Sequence, residues 1–201
     1  MIHWDKLIFR KLNYKDSHQM YLALMDSGSA YLGAYLRWGR GIEAYSENAI
    51  HRTVVTDISR PLPSEHFVVE YLGKLIAFGA SGQSSFNDGV QITYWVRQTF
   101  AGLGIGTWLV SEMIDYLFYV RDRSIIEIHT DLSNVASARI PRNLGFFEFD
   151  TYTQTKDFGF NSSKVMTIWV KVNPRLTISS RLQHFRVGRM YKDSYFSDSI
   201  D

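Results

Sequence analysis

The 201-residue chain contains no cysteine. This absence excludes disulfides, thiolate metal ligands and a cysteine nucleophile, and it fits an intracellular protein. Long apolar runs are also missing, because the most apolar segment, 108–120, is broken by Glu112 and Asp115 and is too short to span a bilayer. The amino-terminal segment carries too many charges for a signal peptide. We therefore expect a cytoplasmic protein with no membrane partner.

A strong charge of either sign is missing as well, since 22 basic and 20 acidic residues leave a net charge of +2. Arg37, Trp38 and Arg40 form a small basic and aromatic cluster, but no stripe of charge accompanies it. We therefore expect no nucleic-acid partner. The chain is rich in apolar residues instead: 45% hydrophobic and 15% aromatic residues are enough for one folded core.

Periodicity and turn residues predict the order of the elements. They are a strand at 6–10, helices at 17–26, 29–38 and 46–57, a hairpin turning at Gly73–Lys74, a strand at 90–96, a helix ending near 120, a strand at 124–130, a helix at 134–144, and strands at 146–153 and 165–172. This order predicts an α/β or α+β single domain with a mixed sheet. We assign the domain to 1–173 and a polar tail of unknown role to 174–201.

The stretch "RQTFAGLGIGTWLV" places glycines at 102, 104 and 106 just before a helix. A P-loop is excluded, because Gly106 is followed by Thr107 and Trp108 with no lysine. A dinucleotide fingerprint fits poorly, because the spacing is G-x-G-x-G and residues 97–101 separate it from the strand.

A loop whose N–H groups converge at a helix start fits best, since it would bind a diphosphate through its backbone. The alternative is a tight strand-to-helix turn with close packing, which explains one glycine better than three.

The runs "ITYWVRQTFAGLGIGTWLV" and "IEIHTDLSNVASARIPRNLGFFEFD" resemble the GNAT superfamily of acyl-CoA-dependent N-acetyltransferases. The order of "YWV", "GLGIGT", "SN…S" and "LGF" is similar to the RimJ/RimL-type branch, and the resemblance covers about 6–172. It implies a mixed, mostly antiparallel central sheet flanked by helices. This sheet would be splayed between the strand near Tyr94 and the strand near Ile128.

The resemblance also implies that acetyl-CoA is the cosubstrate. Its phosphates would lie on the glycine loop and its pantetheine arm in the splay, where an N–H near Val96 could polarise the thioester. The residues implied to bind it are Tyr94, Trp95, Val96, Phe100, Ala101, Gly102, Leu103, Gly104, Ile105, Gly106, Thr107, Asn134 and Ser137. Ala101 stands where the family has Arg or Gln, and Arg97 or Gln98 is a candidate replacement. For Tyr94 and Trp95 the alternative role is core packing, and for Asn134 it is helix capping.

His129 is the candidate general base. It lies five residues before Asn134, where related amino-terminal acetyltransferases have a catalytic glutamate, and its unperturbed pKa of about 6.5 suits the task. Glu127 shares its strand face and could orient His129, act as the base through water, or be solvated. The alternative for His129 is an unreactive residue at a strand edge. Many members of the family have a tyrosine, the candidate general acid, where this chain has Pro141, so no general acid is assigned.

We therefore expect an N-acetyltransferase that moves an acetyl group directly to a primary amine, without a metal. The resemblance favours a protein or peptide α-amino group, and a small amine such as a polyamine stays open. The segment 17–57, with "AYLRWGRG" at 34–41, is expected to recognise the acceptor. The protein is expected to be a monomer or homodimer. The rival interpretation is a non-catalytic acyl-CoA-binding module, a sensor or partner protein.

Overall fold

The computed structural model describes residues 2–34, 36, 39–154 and 163–176 of the chain. Its strands are β1 Leu7–Lys11, β2 Glu65–Tyr71, β3 Lys74–Gln83, β4 Gly89–Val96, β5 Ile125–Asp131, β6 Phe147–Gln154 and β7 Lys164–Val172. Its α-helices are α1 Ser17–Leu32, α2 Glu47–Ile58, α3 Ile105–Asp115 and α4 Val135–Asn143.

All the strands join one sheet in the order β1-β2-β3-β4-β5-β7-β6. Neighbouring strands are antiparallel, apart from β4 and β5, which are parallel. The prediction of a mixed, mostly antiparallel sheet flanked by helices is confirmed.

The sheet splits between β4 and β5. Residues 89–91 of β4 pair with residues 125–127 of β5, and no later β4–β5 pair is present among these described strands. Each strand stays paired on its outer side, β4 with β3 as far as Val96 and β5 with β7 as far as Asp131. A wedge therefore opens where the splay was predicted, between the strand near Tyr94 and the strand near Ile128.

The two faces of the sheet carry separate cores. On one face α3 packs through Leu109 and Met113 against Ile92 and Ile128. On the other face α1 and α2 pack against a cluster that includes Trp95. The period-2 alternation of β4 produces this division, because it sends Ile92 and Tyr94 to the α3 side and Trp95 to the α1 side.

The two helices predicted before residue 39 form one kinked helix. Gly28 has φ 67° and ψ 167°, which is not helical. The Glu43 carboxylate accepts hydrogen bonds from the Ser29 N–H at 2.6 Å and from the Ser29 hydroxyl, so it caps the second half of α1. The second half ends at Leu32 instead of residue 38. Residues 35, 37 and 38, within the predicted acceptor-reading stretch, lie outside the described residues.

Other bounds shift for local reasons. The hairpin turn lies at Leu72–Gly73, one residue earlier than predicted, and both residues have positive φ. A π-helix, Tyr116–Val120, continues α3, and its wider turn leaves Val120 exposed although the helical period predicts it on the buried side.

The last strand is closed by Asn173, which is buried. Its side-chain amide donates to the Arg123 carbonyl at 2.9 Å and to the Phe118 carbonyl at 3.4 Å.

Residues 177–201 of the predicted tail lie outside the described residues. Among the helices that are described, none has the length and apolar character needed to cross a membrane.

Candidate active site

The glycine loop leads from β4 into α3 without a side-chain cap. Its helix begins after Gly104, and the Trp108 N–H donates to the Gly104 carbonyl at 3.0 Å. The N–H groups of Ile105, Gly106 and Thr107 therefore have no acceptor from a preceding helical turn. With the helix dipole, they form a place where an anion is stabilised.

Two residues of the predicted cradle do not contribute N–H groups. The Phe100 N–H donates to the Arg97 carbonyl at 2.8 Å, and the Ala101 N–H donates to the Gln98 carbonyl at 3.0 Å. Both donors are used by the 3₁₀ turn Gln98–Phe100. The backbone that can face a phosphate therefore begins at Gly102.

The glycines have different roles. Gly102 and Gly104 have φ of 74° and 83°, a region that side chains disfavour. A Cβ on Gly106 would lie 2.9 Å from the Ile140 side chain, so this glycine allows α3 to pack against α4. A Cβ on Gly102 would meet nothing within 4 Å, whereas one on Gly104 would lie 3.2 Å from the ring of Trp4. The close-packing alternative thus applies to Gly106, and the other two glycines shape the loop.

The Arg97 side chain, a candidate replacement for the family's phosphate contact, forms an ion pair with α1. Its Nε donates to Asp26 at 2.7 Å, and its side chain is only 15% exposed. The Arg97 guanidinium holds the pKa of the Asp26 carboxyl below its usual value. This ion pair ties the start of the loop to α1.

The free edge of β4 presents two residues to the wedge. The Arg97 N–H donates to the Ile76 carbonyl of β3 at 2.8 Å. Backbone groups alternate sides along a strand, so those of Trp95 also point to β3, while those of Tyr94 and Val96 point into the wedge. The backbone groups of Trp95 are therefore used by β3, and the Val96 N–H lies at the open edge.

The Tyr94 side chain reaches from β4 to α4. Its hydroxyl donates to the Ser137 carbonyl at 3.2 Å and lies 3.1 Å from the Ser137 hydroxyl. Burial raises the pKa of Tyr94 to about 12, so the hydroxyl stays neutral. Asn134 accepts the Ser137 N–H at 3.0 Å, which is the predicted helix cap. Tyr94 and Ser137 thereby join the two sides of the split sheet.

Glu127 is a buried carboxylate. It pairs in register with Gln91, so it lies on the α1 side of the sheet. Only 1% of it is exposed, which excludes the solvated alternative. It accepts the Ser85 N–H at 3.1 Å and the Ser85 hydroxyl at 2.9 Å. Burial alone would raise the pKa of Glu127, but the nearby His129 ring and the hydrogen bonds from Ser85 outweigh burial and lower the pKa.

His129 lies between Glu127 and Tyr152. Its Nε2 is 3.7 Å from the Glu127 carboxylate, and its Nδ1 is 3.1 Å from the Tyr152 hydroxyl. Burial and the charge of Glu127 raise the pKa of Tyr152 to about 12, so this hydroxyl is neutral. Among the described residues, Nε2 is the buried side-chain nitrogen that lacks a hydrogen-bond partner. The His129 ring is thus held between the Tyr152 hydroxyl and the Glu127 carboxylate.

A cavity of about 470 Å³ lies between the sheet and the helices α1 and α2. It is lined by Leu12, Met20, Leu24, Leu36, Ile42, Tyr45, Ala49, Ile50, Thr53, Val54, Asp57, Phe78, Thr93, Tyr94 and Trp95. Most of this lining comes from 17–57, the segment predicted to border the acceptor cleft. The described residues contain no group of three His, Asp or Glu side chains that could hold a metal ion.

A family model, that of the acetyltransferase (GNAT) family, matches residues 30–146 of the chain. This span is more than half of the sequence and contains the glycine loop, the wedge and α4. Among curated proteins, none matches the sequence significantly.

Solved structures share the fold at low sequence identity. The RimL ribosomal L7/L12 alpha-N-protein acetyltransferase, in complex with coenzyme A, is 14% identical with a TM-score of 0.73, covering 83% of this chain and 94% of that one. The ribosomal-protein-S5-alanine acetyltransferase from Vibrio fischeri is 16% identical with a TM-score of 0.70, covering 88% and 98%. The microcin C7 self immunity acetyltransferase MccE, in complex with acetyl-CoA and AMP, is 15% identical with a TM-score of 0.74, covering 84% and 93%.

Proposed function

This chain belongs to the acetyltransferase (GNAT) family and is an acetyl-CoA-dependent N-acetyltransferase; we propose that its acceptor is the α-amino group of a protein or peptide. The observation that carries the proposal is the cavity between α1 and α2, which reaches β4 at Thr93, Tyr94 and Trp95, beside the wedge. Two structural neighbours, named for ribosomal L7/L12 and for the alanine of ribosomal protein S5, act on proteins.

Acetyl-CoA fits the loop and the wedge through backbone groups. The N–H groups from Gly102 to Thr107 would hold the pyrophosphate, with open space at Gly102 to admit it. The edge groups of Tyr94 and Val96 would bind the pantetheine amides as an added strand does. The Val96 N–H would donate to the thioester oxygen as negative charge develops there.

His129 would accept the proton that the amine must lose. When Nδ1 donates to the Tyr152 oxygen, Nε2 presents its lone pair, and the Glu127 carboxylate at 3.7 Å stabilises the charged ring that results. Glu127 is fixed in turn by Ser85. Tyr152 is then a positioning residue, because it holds the ring without touching the amine.

The test is release of free thiol from acetyl-CoA, measured with peptides that have free or blocked amino termini and with polyamines. We expect continuous release with free peptide amino termini, and none with blocked ones. Turnover of polyamines without turnover of any peptide would indicate that the acceptor is a small amine. Binding of acetyl-CoA with no release across the panel would favour a sensor, which is the alternative that Ala101 and Pro141 suggest.

We further propose that the acetyltransferase domain spans 1–173, that the protein acts in the cytoplasm, and that it works without nucleic acid. The weak net charge of +2 supports the last point. Measurable binding to mixed RNA at moderate salt would contradict it.

A further inference from the structure

We propose that the cavity between α1 and α2 takes the first side chain of the acceptor peptide and that this side chain is a large apolar one. The proposal rests on the proposed function, because it names the kind of peptide amino terminus that the enzyme acetylates. The cavity volume of about 470 Å³ lies in the range of small-molecule binding sites.

The cavity borders the wedge at β4. Thr93, Tyr94 and Trp95 of β4 form part of its wall, and these residues border the wedge. Thr93 and Trp95 lie on the same face as Glu127 and His129, since Gln91 is in register with Glu127 and alternate residues share a face. A side chain in the cavity would therefore leave its own α-amino group near the wedge, on the His129 side.

The walls of the cavity are mostly apolar. Met20, Leu24, Ile42, Ile50 and Val54 contribute side chains that are otherwise buried in the core between α1 and α2. An apolar side chain would remove its own surface from water and pack against these side chains, whereas a polar one would lose hydrogen bonds.

A polycation does not suit this cavity. The carboxylate among the described lining residues is Asp57, and its Oδ1 lies 3.3 Å from the Arg60 Nε and 4.0 Å from the His66 Nε2. One carboxylate that already has a cationic partner leaves little to compensate several buried ammonium groups. The cavity therefore favours an uncharged side chain over a polyamine.

Two threonines of α2 provide a matched pair of variants. The Thr53 hydroxyl donates to the Ala49 carbonyl at 3.1 Å, and the Thr56 hydroxyl donates to the Arg52 carbonyl at 2.9 Å. Both residues are exposed, but only Thr53 lines the cavity. Thr53→Phe should narrow the cavity, and Thr56→Phe should make the same chemical change outside it.

The experiment compares kcat/KM for peptides identical except for the first residue, which is Leu, Phe, Ala, Ser or Lys, and for spermidine. We expect Leu and Phe to exceed Ser and Lys by about 10–100-fold. Thr53→Phe should reduce the rate for Leu and Phe peptides and change that for the Ala peptide little. Thr56→Phe should leave the ranking unchanged.

The outcomes separate this inference from the proposed function. If peptides are acetylated but Ser or Lys equals or exceeds Leu and Phe, the inference is overturned and the function stands. Equal effects of Thr53→Phe and Thr56→Phe would also overturn it. If no peptide is acetylated although acetyl-CoA binds, the proposed function fails, and the inference fails with it.

Discussion

The two ring nitrogens of His129 lie near the Tyr152 hydroxyl and the Glu127 carboxylate, and these contacts would orient the imidazole as a general base. Replacing His129 with alanine should lower turnover by about 10²–10⁴-fold, the usual value of general-base assistance. The loss should shrink as pH rises, because more of the amine is then already neutral. Binding of acetyl-CoA should change little, because the cofactor would contact the loop and β4. The measurement is the pH–rate profile of both proteins on one peptide.

Tyr152 provides the control for that experiment. Tyr152→Phe removes the hydroxyl at 3.1 Å from Nδ1 but keeps the ring, so kcat should fall by up to about tenfold, as expected for one hydrogen bond. In a His129→Ala background it should have no further effect, since its action passes through the imidazole. Matching profiles for the parent and His129→Ala would exclude His129 as the base, and Glu127 would then be the residue to change.

The sequence could predict only part of this group. The sequence indicates His129 through its interval to Asn134, as in the family it resembles, and Glu127 through the strand face that it shares with His129. Tyr152 and Ser85 are not indicated, because they are 23 and 42 residues away from the side chains they contact. Such contacts depend on the order β5-β7-β6 and on the path of the loop before β4, which local periodicity does not determine.

The loop before α3 can be tested with a pair of glycines. Gly102 and Gly73 both have φ 74°, and a Cβ on either would meet nothing within 4 Å. An alanine at either position should therefore cost a similar stability, about 1–2 kcal/mol for the left-handed backbone. Gly102→Ala should also weaken coenzyme A binding, whereas Gly73→Ala in the β2–β3 hairpin should not, as calorimetric titration would measure. Equal affinities for coenzyme A in the two variants would contradict the proposal that this loop binds the phosphates.

Element bounds show where sequence patterns stop being informative. The glycines correctly predicted the start of α3, because a left-handed residue precedes it. The exposure of Val120 departs from the α-helical period, because the change from α- to π-helix alters the period without a clear sequence signal. The N–H groups of Phe100 and Ala101 were assigned to the cradle, since a short 3₁₀ turn is equally invisible in the sequence.

Glu65 joins three elements and should make the fold sensitive to acid. At the start of β2 it accepts hydrogen bonds from Lys11 of β1, and from Tyr116 and Arg121 at the end of the α3 segment. Burial would raise its pKa, but these hydrogen bonds outweigh burial and lower the pKa from 4.5 to about 2. The folded carboxyl therefore binds its proton more weakly than the unfolded one, so its stabilisation is present above pH 4.5 and is lost as the pH falls toward 2.

The expected size of this effect is roughly 3 kcal/mol, at about 1.4 kcal/mol for each pKa unit. Glu65→Gln should lower the free energy of unfolding at neutral pH and should reduce its change between about pH 6 and pH 3. Urea unfolding at both pH values measures this. Glu70→Gln, on the same strand and paired with Arg10 at 2.9 Å, is the control and should cost less, because that pair is more exposed. An unchanged pH dependence in Glu65→Gln would contradict the assignment.

At the scale of the whole molecule, β4 belongs to both halves of the site. One face of it meets α3 and the glycine loop, and the other meets α1, α2 and the cavity. The Arg97–Asp26 ion pair connects the end of β4 to α1, and Tyr94 connects it to α4. A ligand that occupies both the loop and the wedge would therefore contact β4 and the loop that follows it.

This arrangement predicts how fragments of coenzyme A should stabilise the fold. At about 100 times its dissociation constant, a ligand that binds only the folded state adds about 2.7 kcal/mol, which for a chain of this size raises Tm by roughly 5–10 °C. Adenosine 3′-phosphate 5′-diphosphate and pantetheine at the same concentration should each give a much smaller shift, because only the joined molecule gains the second contact at high effective concentration. In Gly102→Ala the shifts with coenzyme A and the nucleotide should shrink, while that with pantetheine should match the parent protein. If the pantetheine shift falls equally, the loop and the wedge are not separate parts of the binding site, and the division of roles along β4 is wrong.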